Sequence, residues 1–235
     1  MKKSARIFSD EAIEKILETI RDSIAVENGL PKVLAGGQHK VGDIPRFNLP
    51  PLWTCGRNCK HCKRQCYVLK DYVGPRKKSV AKSHARNYNA IVENLESVEY
   101  YLTMWIHKHQ PRFFRIHASG DFFIPGLRDE ALYAWMWYRV AQACPNTRFL
   151  AFTKAYDIVR AVPFHTLPNF SLVLSEWTDV LEAPEDLKKF YRTSRAVEKI
   201  EDIRPNEVEC PGNCETCGLC WALKDLGHDV AFEIH

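Results

Sequence analysis

The sequence predicts an α/β fold built as an open, partial parallel β/α barrel. Apolar stretches alternate with helix-like segments along the second half of the chain: strands at 112–118, 147–153, 169–175 and 229–234, and helices at about 127–143 and 155–162. Strands that alternate with helices indicate βαβ units, and therefore a parallel sheet. The strands are too few for an eight-stranded barrel, so we expect the barrel to stay open.

The first hundred residues predict helices around an irregular segment. Residues 8–25 follow a cap-like Ser9-Asp10 with apolar residues at 3–4 spacing, which predicts an amphipathic helix. Residues 30–54 contain four prolines and three glycines and are expected to be extended or irregular. Residues 79–109 predict one long helix, or two helices broken near Ser97.

Composition excludes several classes of protein. The chain has 235 residues, of which 46% are hydrophobic and 26% charged, as expected of a folded domain rather than a disordered chain. No apolar run approaches the roughly 20 residues of a membrane span, so no membrane partner is expected. The N-terminus lacks the apolar core of a secretory signal, which predicts a cytoplasmic protein. A net charge of +4 is too small to identify a partner.

Nine cysteines are the unusual feature of the composition. Without a secretion signal they favour metal or redox chemistry over disulfides. Eight of them form two groups of four, and Cys144 stands alone as a small buried hydrophobe. The N-terminal group consists of Cys55, Cys59, Cys62 and Cys66. The C-terminal group consists of Cys210, Cys214, Cys217 and Cys220.

The spacing of the N-terminal group is C-x3-C-x2-C, with Cys66 three residues further on. Three thiolates on a 4Fe–4S cluster leave one iron open to chelate a small molecule, whereas a fourth closes the site. A four-cysteine zinc site is the alternative. The function therefore depends on whether Cys66 is a ligand, which the spacing leaves open.

The C-terminal group contains C-x2-C-x2-C with a fourth thiol four positions upstream. That run is typical of loops that wrap an iron–sulfur cubane, and four ligands would close the site. A structural zinc ion suits four thiolates equally well. We divide the chain into a partial barrel at 1–205, with the N-terminal helix and the first cysteine group, and a cysteine-rich metal-binding extension with a closing strand at 206–235.

Polar motifs follow three of the predicted strands. Parallel α/β sheets bind ligands at the carboxyl ends of their strands, where these motifs are expected to meet. Helix capping is the alternative role for any one of them. The motifs are His117-Ala-Ser119-Gly120-Asp121, Thr153-Lys154 and Ser175-Glu176-Trp177.

Basic residues surround the N-terminal group, opposed within that run only by Asp71. They could offset cluster charge, bind an anion or follow a phosphate backbone, or simply form a solvated helix face. The run comprises Arg57, Lys60, Lys63, Arg64, Lys70, Arg76, Lys77, Lys78, Lys82 and Arg86.

The first three cysteines resemble the motif of the radical S-adenosylmethionine enzymes, with His61 where those enzymes usually have an aromatic residue. The resemblance implies that Cys55, Cys59 and Cys62 hold the cluster and that a flavodoxin- or ferredoxin-like protein donates electrons. It further implies that Asp121 accepts from the amine of S-adenosylmethionine and that Lys154 or Arg115 pairs with its carboxylate. The implied catalytic residues are Asp121, His117 and Lys154. The implied cofactor-binding residues are Ser119, Gly120, Asp121, Arg115 and Glu176.

Nearly the whole chain resembles the phage gene product 88 family. In that family a cysteine followed by tyrosine is central to the first cluster, as in Cys66-Tyr67, which keeps a ligand set including Cys66 open. The resemblance implies a compact radical-enzyme-like barrel, host cytoplasm as its location, and no established reaction. Its marks are Asn48-Leu49-Pro50-Pro51, Cys66-Tyr67, Phe114 to Asp121, Phe152-Thr153-Lys154, Cys214-x2-Cys217-x2-Cys220-Trp221 and Phe232-Glu-Ile-His235.

Three functions remain open at this point. The first is an iron–sulfur enzyme that uses S-adenosylmethionine on a small-molecule or nucleic-acid substrate. The second is a non-enzymatic nucleic-acid-binding protein, stabilised by zinc or iron–sulfur clusters, that uses the basic run and exposed aromatic residues such as Tyr67, Tyr72 and Tyr88. The third is a metal-dependent hydrolase built on His117, Asp121, His165 and His235, which lack a metal-binding motif.

Overall fold

A computed structural model of the chain describes residues 7–36 and 41–234. Within these residues it has nine α-helices: α1 (Asp10–Val26), α2 (Cys59–Cys62), α3 (Lys77–Glu93), α4 (Leu95–His109), α5 (Leu132–Ala143), α6 (Tyr156–Arg160), α7 (Glu185–Lys188), α8 (Cys214–Cys217) and α9 (Leu223–Leu226). Short 3₁₀ turns occur at Lys63–Gln65, Tyr67–Tyr72, Phe164–Thr166, Ile200–Asp202 and Leu219–Trp221. No helix in the described ranges is long and apolar enough to cross a membrane.

Seven strands form one sheet in the order β1-β2-β3-β4-β5-β7-β6. Every pairing is parallel and the sheet is not closed, so the predicted open parallel α/β architecture is confirmed. The strands are β1 (Arg46–Phe47), β2 (Phe113–Ile116), β3 (Arg148–Thr153), β4 (Phe170–Trp177), β5 (Arg192–Val197), β6 (Glu207–Glu209) and β7 (Asp229–Glu233).

Different parts of the chain cover the two faces of the sheet. Alternate residues of a strand point to opposite faces, so Phe114 and Ile116 of β2 lie on one face and Phe113 and Arg115 on the other. The first, which we call the helix face, packs against α3, α4 and α5 in the main hydrophobic core. The second, the cysteine face, packs against Trp221 and the thiols of the C-terminal group.

The helices follow the predicted pattern with shifted boundaries. Ser9 caps α1 by accepting from the backbone N–H of Ala12 at 3.2 Å. The predicted break near Ser97 occurs instead at Asn94, because the extended Asn94 caps α4 by accepting from the Ser97 N–H at 2.9 Å. Helix α5 begins at Leu132 rather than 127, after turns at 124–127 and 129–132.

Strands β1, β5 and β6 are not predicted by the apolar pattern of the sequence. Strand β5 has the sequence RTSRAV, which lacks an apolar pattern because four of its residues are polar or charged. Five of its six residues are nevertheless buried. Its Arg195 forms a buried bidentate ion pair with Glu207 of β6, at 2.8 and 2.7 Å. Charged residues are rarely buried unless they are paired, and this ion pair allows Arg195 to occupy an interior position.

The C-terminal segment is part of the same sheet. Strand β7 inserts between β5 and β6, and the N–H of Cys210 donates to the carbonyl of Ala231 at 2.8 Å. The boundary expected at residue 206 therefore falls immediately before β6. Both strands on its C-terminal side extend the sheet that the first 205 residues begin.

Candidate functional site

The N-terminal group lies at the carboxyl edge of the sheet, in the chain that follows β1. Helix α2 begins at Cys59 and ends at Cys62. The Asn58 side chain donates to the carbonyl of Lys154, the residue after β3, at 2.7 Å. Charges from Asp121 and Lys154 both act on the Cys62 thiol. The loop after β1 and the ends of β2 and β3 therefore converge, as the polar motifs predicted.

The four thiols of the N-terminal group interact with one another. A hydrogen bond with Cys59 and removal from water raise the pKa of the Cys55 thiol well above its ordinary value. Burial, with the charges of Cys55 and Cys62, raises the pKa of Cys66 to about 12. Anionic thiolates brought together repel one another, and a bound metal cation removes that penalty.

Asp121 is buried and its carboxylate is engaged on both oxygens. Oδ1 accepts from the Thr153 hydroxyl at 2.6 Å and from the Phe122 N–H at 2.8 Å. Oδ2 accepts from the Lys154 N–H at 2.8 Å. Burial raises the pKa of Asp121, while these hydrogen bonds oppose the shift. The carboxylate thus ties the end of β2 to the end of β3.

Gly120 and Ser119 fix the strand-end loop against the segment that precedes the cysteines. Gly120 has a φ of +82°, and a Cβ there would lie 2.6 Å from Thr54 Oγ1 and 2.7 Å from Leu49 Cβ. The Ser119 hydroxyl donates to the Leu49 carbonyl at 2.9 Å. Both residues have a packing role in this structure, whether or not they also contact a cofactor.

Lys154 carries the positive charge at this edge. Its Nζ lies 5.5 Å from the centroid of the Trp177 ring. The neighbouring Tyr156 hydroxyl donates to the carbonyl of Ser175. Charges from Glu176, Asp121 and Cys62 all act on that phenol, whose pKa is raised mainly by burial. Lys154, Tyr156 and Asp121 form one polar rim beside the thiols.

His117 and Glu176 lie on the helix face, and the charge of Glu176 acts on the Tyr156 phenol of the rim. The backbone of His117 has a φ of +57°, which breaks the strand alternation, and its Nε2 lies 2.8 Å from the Tyr133 hydroxyl. Burial lowers the pKa of His117 to about 3. Glu176 accepts from the Ala183 N–H at 3.1 Å and pairs with Lys188 at 3.2 Å. These two predicted site residues are held by core and surface partners in this structure.

The C-terminal group lines a single small cavity on the cysteine face. All four thiols contribute to its wall, together with Trp221 and Val230, and its volume is about 20 Å³. Trp221 anchors the segment, since its ring lies 4.9 Å from that of Phe113 on β2. The Ser171 hydroxyl of β4 donates to the Cys220 carbonyl at 2.9 Å. The segment that lines the cavity is therefore packed against strands β2 and β4 of the sheet.

Arg115 reaches this second group rather than the strand-end rim. Its guanidinium stacks on Phe152 with Cζ 4.1 Å from the ring centroid. Charges from the Tyr67 phenol and from Cys214, Cys220 and Cys210 act on it, and burial lowers its pKa. The alternation of apolar Phe114 and Ile116 is the signal in the sequence that could have placed Arg115 on the opposite face.

Tyr67 lies between the two groups. It directly follows Cys66, its hydroxyl donates to the Ala118 carbonyl, and charges from both Cys66 and Cys214 act on its phenol. Of the aromatic residues expected to be exposed, only Tyr67 is exposed, at 54%. The expectation was wrong for Tyr72 and Tyr88, which are buried at 2% and 7% exposure because their hydroxyls bond to His84 and to the Pro125 carbonyl.

No three histidine, cysteine, aspartate or glutamate side chains within residues 7–36 and 41–234 are already arranged to hold a metal ion. Each cysteine group nevertheless contains four thiols, which are ligands that zinc and iron accept. The histidines do not form such a set: His117 bonds to Tyr133, whereas His165 stacks on Phe190 with ring centroids 4.4 Å apart. His235 lies outside the described residues.

The basic run divides into paired and exposed residues. Glu27, the residue after α1, pairs with Lys82 at 3.2 Å and with Arg86 at 3.1 Å, and Asp10 at the start of α1 pairs with Arg64. Acids at the two ends of α1 therefore oppose the run as well as Asp71. The members that are exposed and form no ion pair with a described acid are Arg57, Lys60, Lys70, Arg76, Lys77 and Lys78.

Cysteine 144 is buried in the helix-face core at 4% exposure, as predicted for a small hydrophobe. Its thiol thus lies outside both groups.

Comparison with known proteins finds one family and two relatives. The family described as Gene product 88 matches residues 22–223. The Gene 88 protein of Mycobacterium phage L5 is 25% identical over 218 residues, which covers 80% of this chain and 87% of the relative. The Gene 88 protein of Mycobacterium phage D29 is 25% identical over 219 residues, with the same coverage of 80% and 87%. No solved structure matches the chain.

Proposed function

This chain belongs to the gene product 88 family, and we propose that it is an iron–sulfur enzyme of the radical S-adenosylmethionine type. In this proposal the N-terminal group holds a 4Fe–4S cluster, and the C-terminal group holds a second, closed metal site. The substrate class stays open between a small molecule and a nucleic acid, and a flavodoxin- or ferredoxin-like protein is the expected electron donor.

The observation that carries the proposal is the position of the C-x3-C-x2-C motif. It occupies the loop after β1 at the carboxyl edge of an open parallel sheet, which is where α/β enzymes hold their ligands. The Asn58 side chain ties this loop to Lys154 at the end of β3. A cluster bound there would face the polar rim of Asp121, Lys154 and Tyr156.

Three of the four thiols would ligate the cluster, with Cys55, Cys59 and Cys62 as the motif's own set. Bound with an open iron, such a cluster supplies one-electron reduction of S-adenosylmethionine. Lys154 offers a cation for the carboxylate of that molecule. Asp121 acts as a positioning residue in this scheme, since its oxygens already hold the ends of β2 and β3 together.

The test is anaerobic reconstitution of the full chain with iron and sulfide, followed by dithionite and S-adenosylmethionine. We expect a brown protein with broad visible absorbance that cleaves S-adenosylmethionine. Cys62→Ser is expected to lose cleavage, whereas Cys144→Ala, which removes a thiol outside both groups, keeps it. A colourless protein that carries two zinc ions contradicts the proposal.

The fate of Cys66 is tested in the same assay. If three thiolates bind the cluster, Cys66→Ser retains iron and cleavage, because an open iron is preserved. If Cys66 belongs to the ligand set, the variant loses iron along with cleavage. The two outcomes decide which triad leaves the reactive iron open.

Non-enzymatic nucleic-acid binding is the alternative, favoured by the exposed cations of the basic run. Their spread from Arg57 to Lys78 suits a phosphate backbone. This function predicts binding of single-stranded DNA or RNA that weakens with salt and does not require S-adenosylmethionine. Absence of binding at low salt contradicts it, and Lys77→Ala with Lys78→Ala is expected to reduce both affinity and salt dependence.

A further inference from the structure

Arg115 is a partly buried cation without a carboxylate partner among the described residues. Its Nε is completely buried and makes no hydrogen bond. No ion pair joins Arg115 to an aspartate or glutamate anywhere in residues 7–36 and 41–234. Burying an unpaired guanidinium is costly, so a stable fold needs an anion close to it.

The groups that can balance this charge are the Tyr67 phenol and the thiols of the C-terminal group, and of these the thiols ionise more readily. Arg115 lies on the cysteine face, the face on which Cys210, Cys214 and Cys220 pack. Beside it, the Phe113 ring lies 3.8 Å from the Cβ position of Gly218, between Cys217 and Cys220. The guanidinium also stacks on the Phe152 ring, which belongs to the same apolar cluster as Cys210, Cys214 and Cys220. The fixed positive charge therefore lies on the face that carries the C-terminal group.

The small cavity lined by the C-terminal group has room for one small ion. Its volume of about 20 Å³ is close to the space that a single water-sized particle needs. Four thiolates around one divalent cation carry a net charge of −2, and holding that charge where water is partly excluded has a cost. A positively charged arginine near the ligands offsets part of that cost.

We propose that Arg115 is the counter-charge that allows the C-terminal group to bind a single divalent metal ion through four thiolates. The inference rests on the proposed metal-binding role of this group and assigns Arg115 to it. It replaces the expectation that Arg115 pairs with the carboxylate of S-adenosylmethionine. Arg115 is a positioning residue in this role, since it contacts the surroundings of the ligands and not the metal.

The test uses Co²⁺ binding to the full chain carrying Cys59→Ser and Cys62→Ser, so that the N-terminal group does not contribute. Cobalt gives a thiolate-to-metal absorbance band, and competition with a chelator gives the affinity. Removing the partner of a metal ligand typically lowers metal affinity about 10- to 100-fold. We expect a loss of that size for Arg115→Met and Arg115→Gln, and recovery to within about threefold for Arg115→Lys, which keeps the charge.

Arg112→Met is the matched control. Arg112 also stacks on an aromatic ring, with Cζ 4.9 Å from the Phe113 centroid, but it is exposed. We expect its cobalt affinity and absorbance band to stay unchanged. Far-UV circular dichroism identifies any variant that fails to fold, and the lysine and glutamine variants then carry the comparison.

Two results would overturn the inference in different ways. If the parent protein takes up no Co²⁺, the metal-binding role of the C-terminal group fails and the inference fails with it. If the parent binds Co²⁺ and Arg115→Met, Arg115→Gln and Arg112→Met all bind it equally well, the group is a metal site but Arg115 is not its counter-charge.

Discussion

The two cysteine groups have the same number of thiols and opposite surroundings. The N-terminal group lies at the carboxyl edge of the sheet, between a buried carboxylate and a lysine. The C-terminal group lies on the cysteine face around a small cavity, with one partly buried arginine beside it. Spacing predicts a closed C-terminal group and leaves the ligand set of the N-terminal group open. The fold adds a difference in position, since the N-terminal group follows a strand end whereas the C-terminal group lies on a face of the sheet.

The largest expected difference between the groups is in stability. The C-terminal group fixes a segment that covers the cysteine face, so Cys220→Ser is expected to lower the free energy of unfolding by about 4 kcal/mol or more. Cys62 lies in a short helix without buried residues, so Cys62→Ser is expected to lower the free energy of unfolding by roughly 1 kcal/mol. Urea denaturation of both variants measures the difference, and equal losses would contradict the assignment of a structural role to the C-terminal group.

Two glycines, one near each cysteine group, allow the packing of the two regions to be compared. Gly120 and Gly212 both have positive φ, of +82° and +78°, but a Cβ at Gly212 meets nothing within 4 Å. Gly212→Ala is expected to cost about 1 kcal/mol for the left-handed backbone alone. Gly120→Ala adds the collision with Thr54 and Leu49 and is expected to cost about 3 kcal/mol. Thermal unfolding of the two variants checks the order, and similar midpoints would refute the close packing at Gly120.

A smaller effect is expected from the carboxylate that ties β2 to β3. The Asp121 carboxylate accepts three hydrogen bonds. In Asp121→Asn an amide N–H replaces one of the accepting oxygens, so at least one buried donor loses its partner. The expected loss of stability is about 2 kcal/mol. The control is Asp129→Asn, since the exposed Asp129 accepts from the Ala131 N–H at the surface. A loss no larger than that of the control would show that the tie is unimportant.

The last expected effect concerns acid, and it acts through two buried histidines. Burial lowers the pKa of His84 and of His117 to about 3 each, against about 6.5 in an unfolded chain. Between these values the unfolded state binds more protons, so stability is complete above about pH 6.5 and falls as the pH drops towards 3. The expected slope approaches about 1.4 kcal/mol per pH unit for each histidine.

His84→Gln is expected to flatten this pH dependence by one histidine's share, because the neutral amide has no proton to gain. His107→Gln is the control, since His107 is exposed on α4. Urea unfolding between pH 7 and pH 5 measures both. An unchanged slope in His84→Gln would mean that the buried ring is not the group that titrates.

Much of the architecture could be predicted from sequence because apolar periodicity reports burial. The stretches that became β2, β3, β4 and β7 are apolar, and α1 and α4 show helical spacing. Strand β5 could not be predicted in the same way, because Arg195 is tolerated there only through its partner Glu207, which is distant in sequence. Long-range ion pairs leave no local signal.

Part of the candidate site could also be predicted from the sequence, because polar motifs follow the apolar strands. The strand ends identified Asp121 and Lys154, since parallel strands deliver their carboxyl ends to one edge. They could not show that His117 turns to the helix face, because that depends on its φ of +57°. Nor could they show that Arg115 lies with the C-terminal thiols, because the covering segment comes from residues about a hundred positions later.

Metal analysis with electron paramagnetic resonance of anaerobically purified protein tests the central claim most directly. The account predicts iron and sulfide in the wild-type chain, with a reduced-cluster signal under dithionite that disappears in Cys62→Ser while the metal of the C-terminal group remains. A wild-type protein that contains only zinc, and gives no such signal after reconstitution, would contradict it.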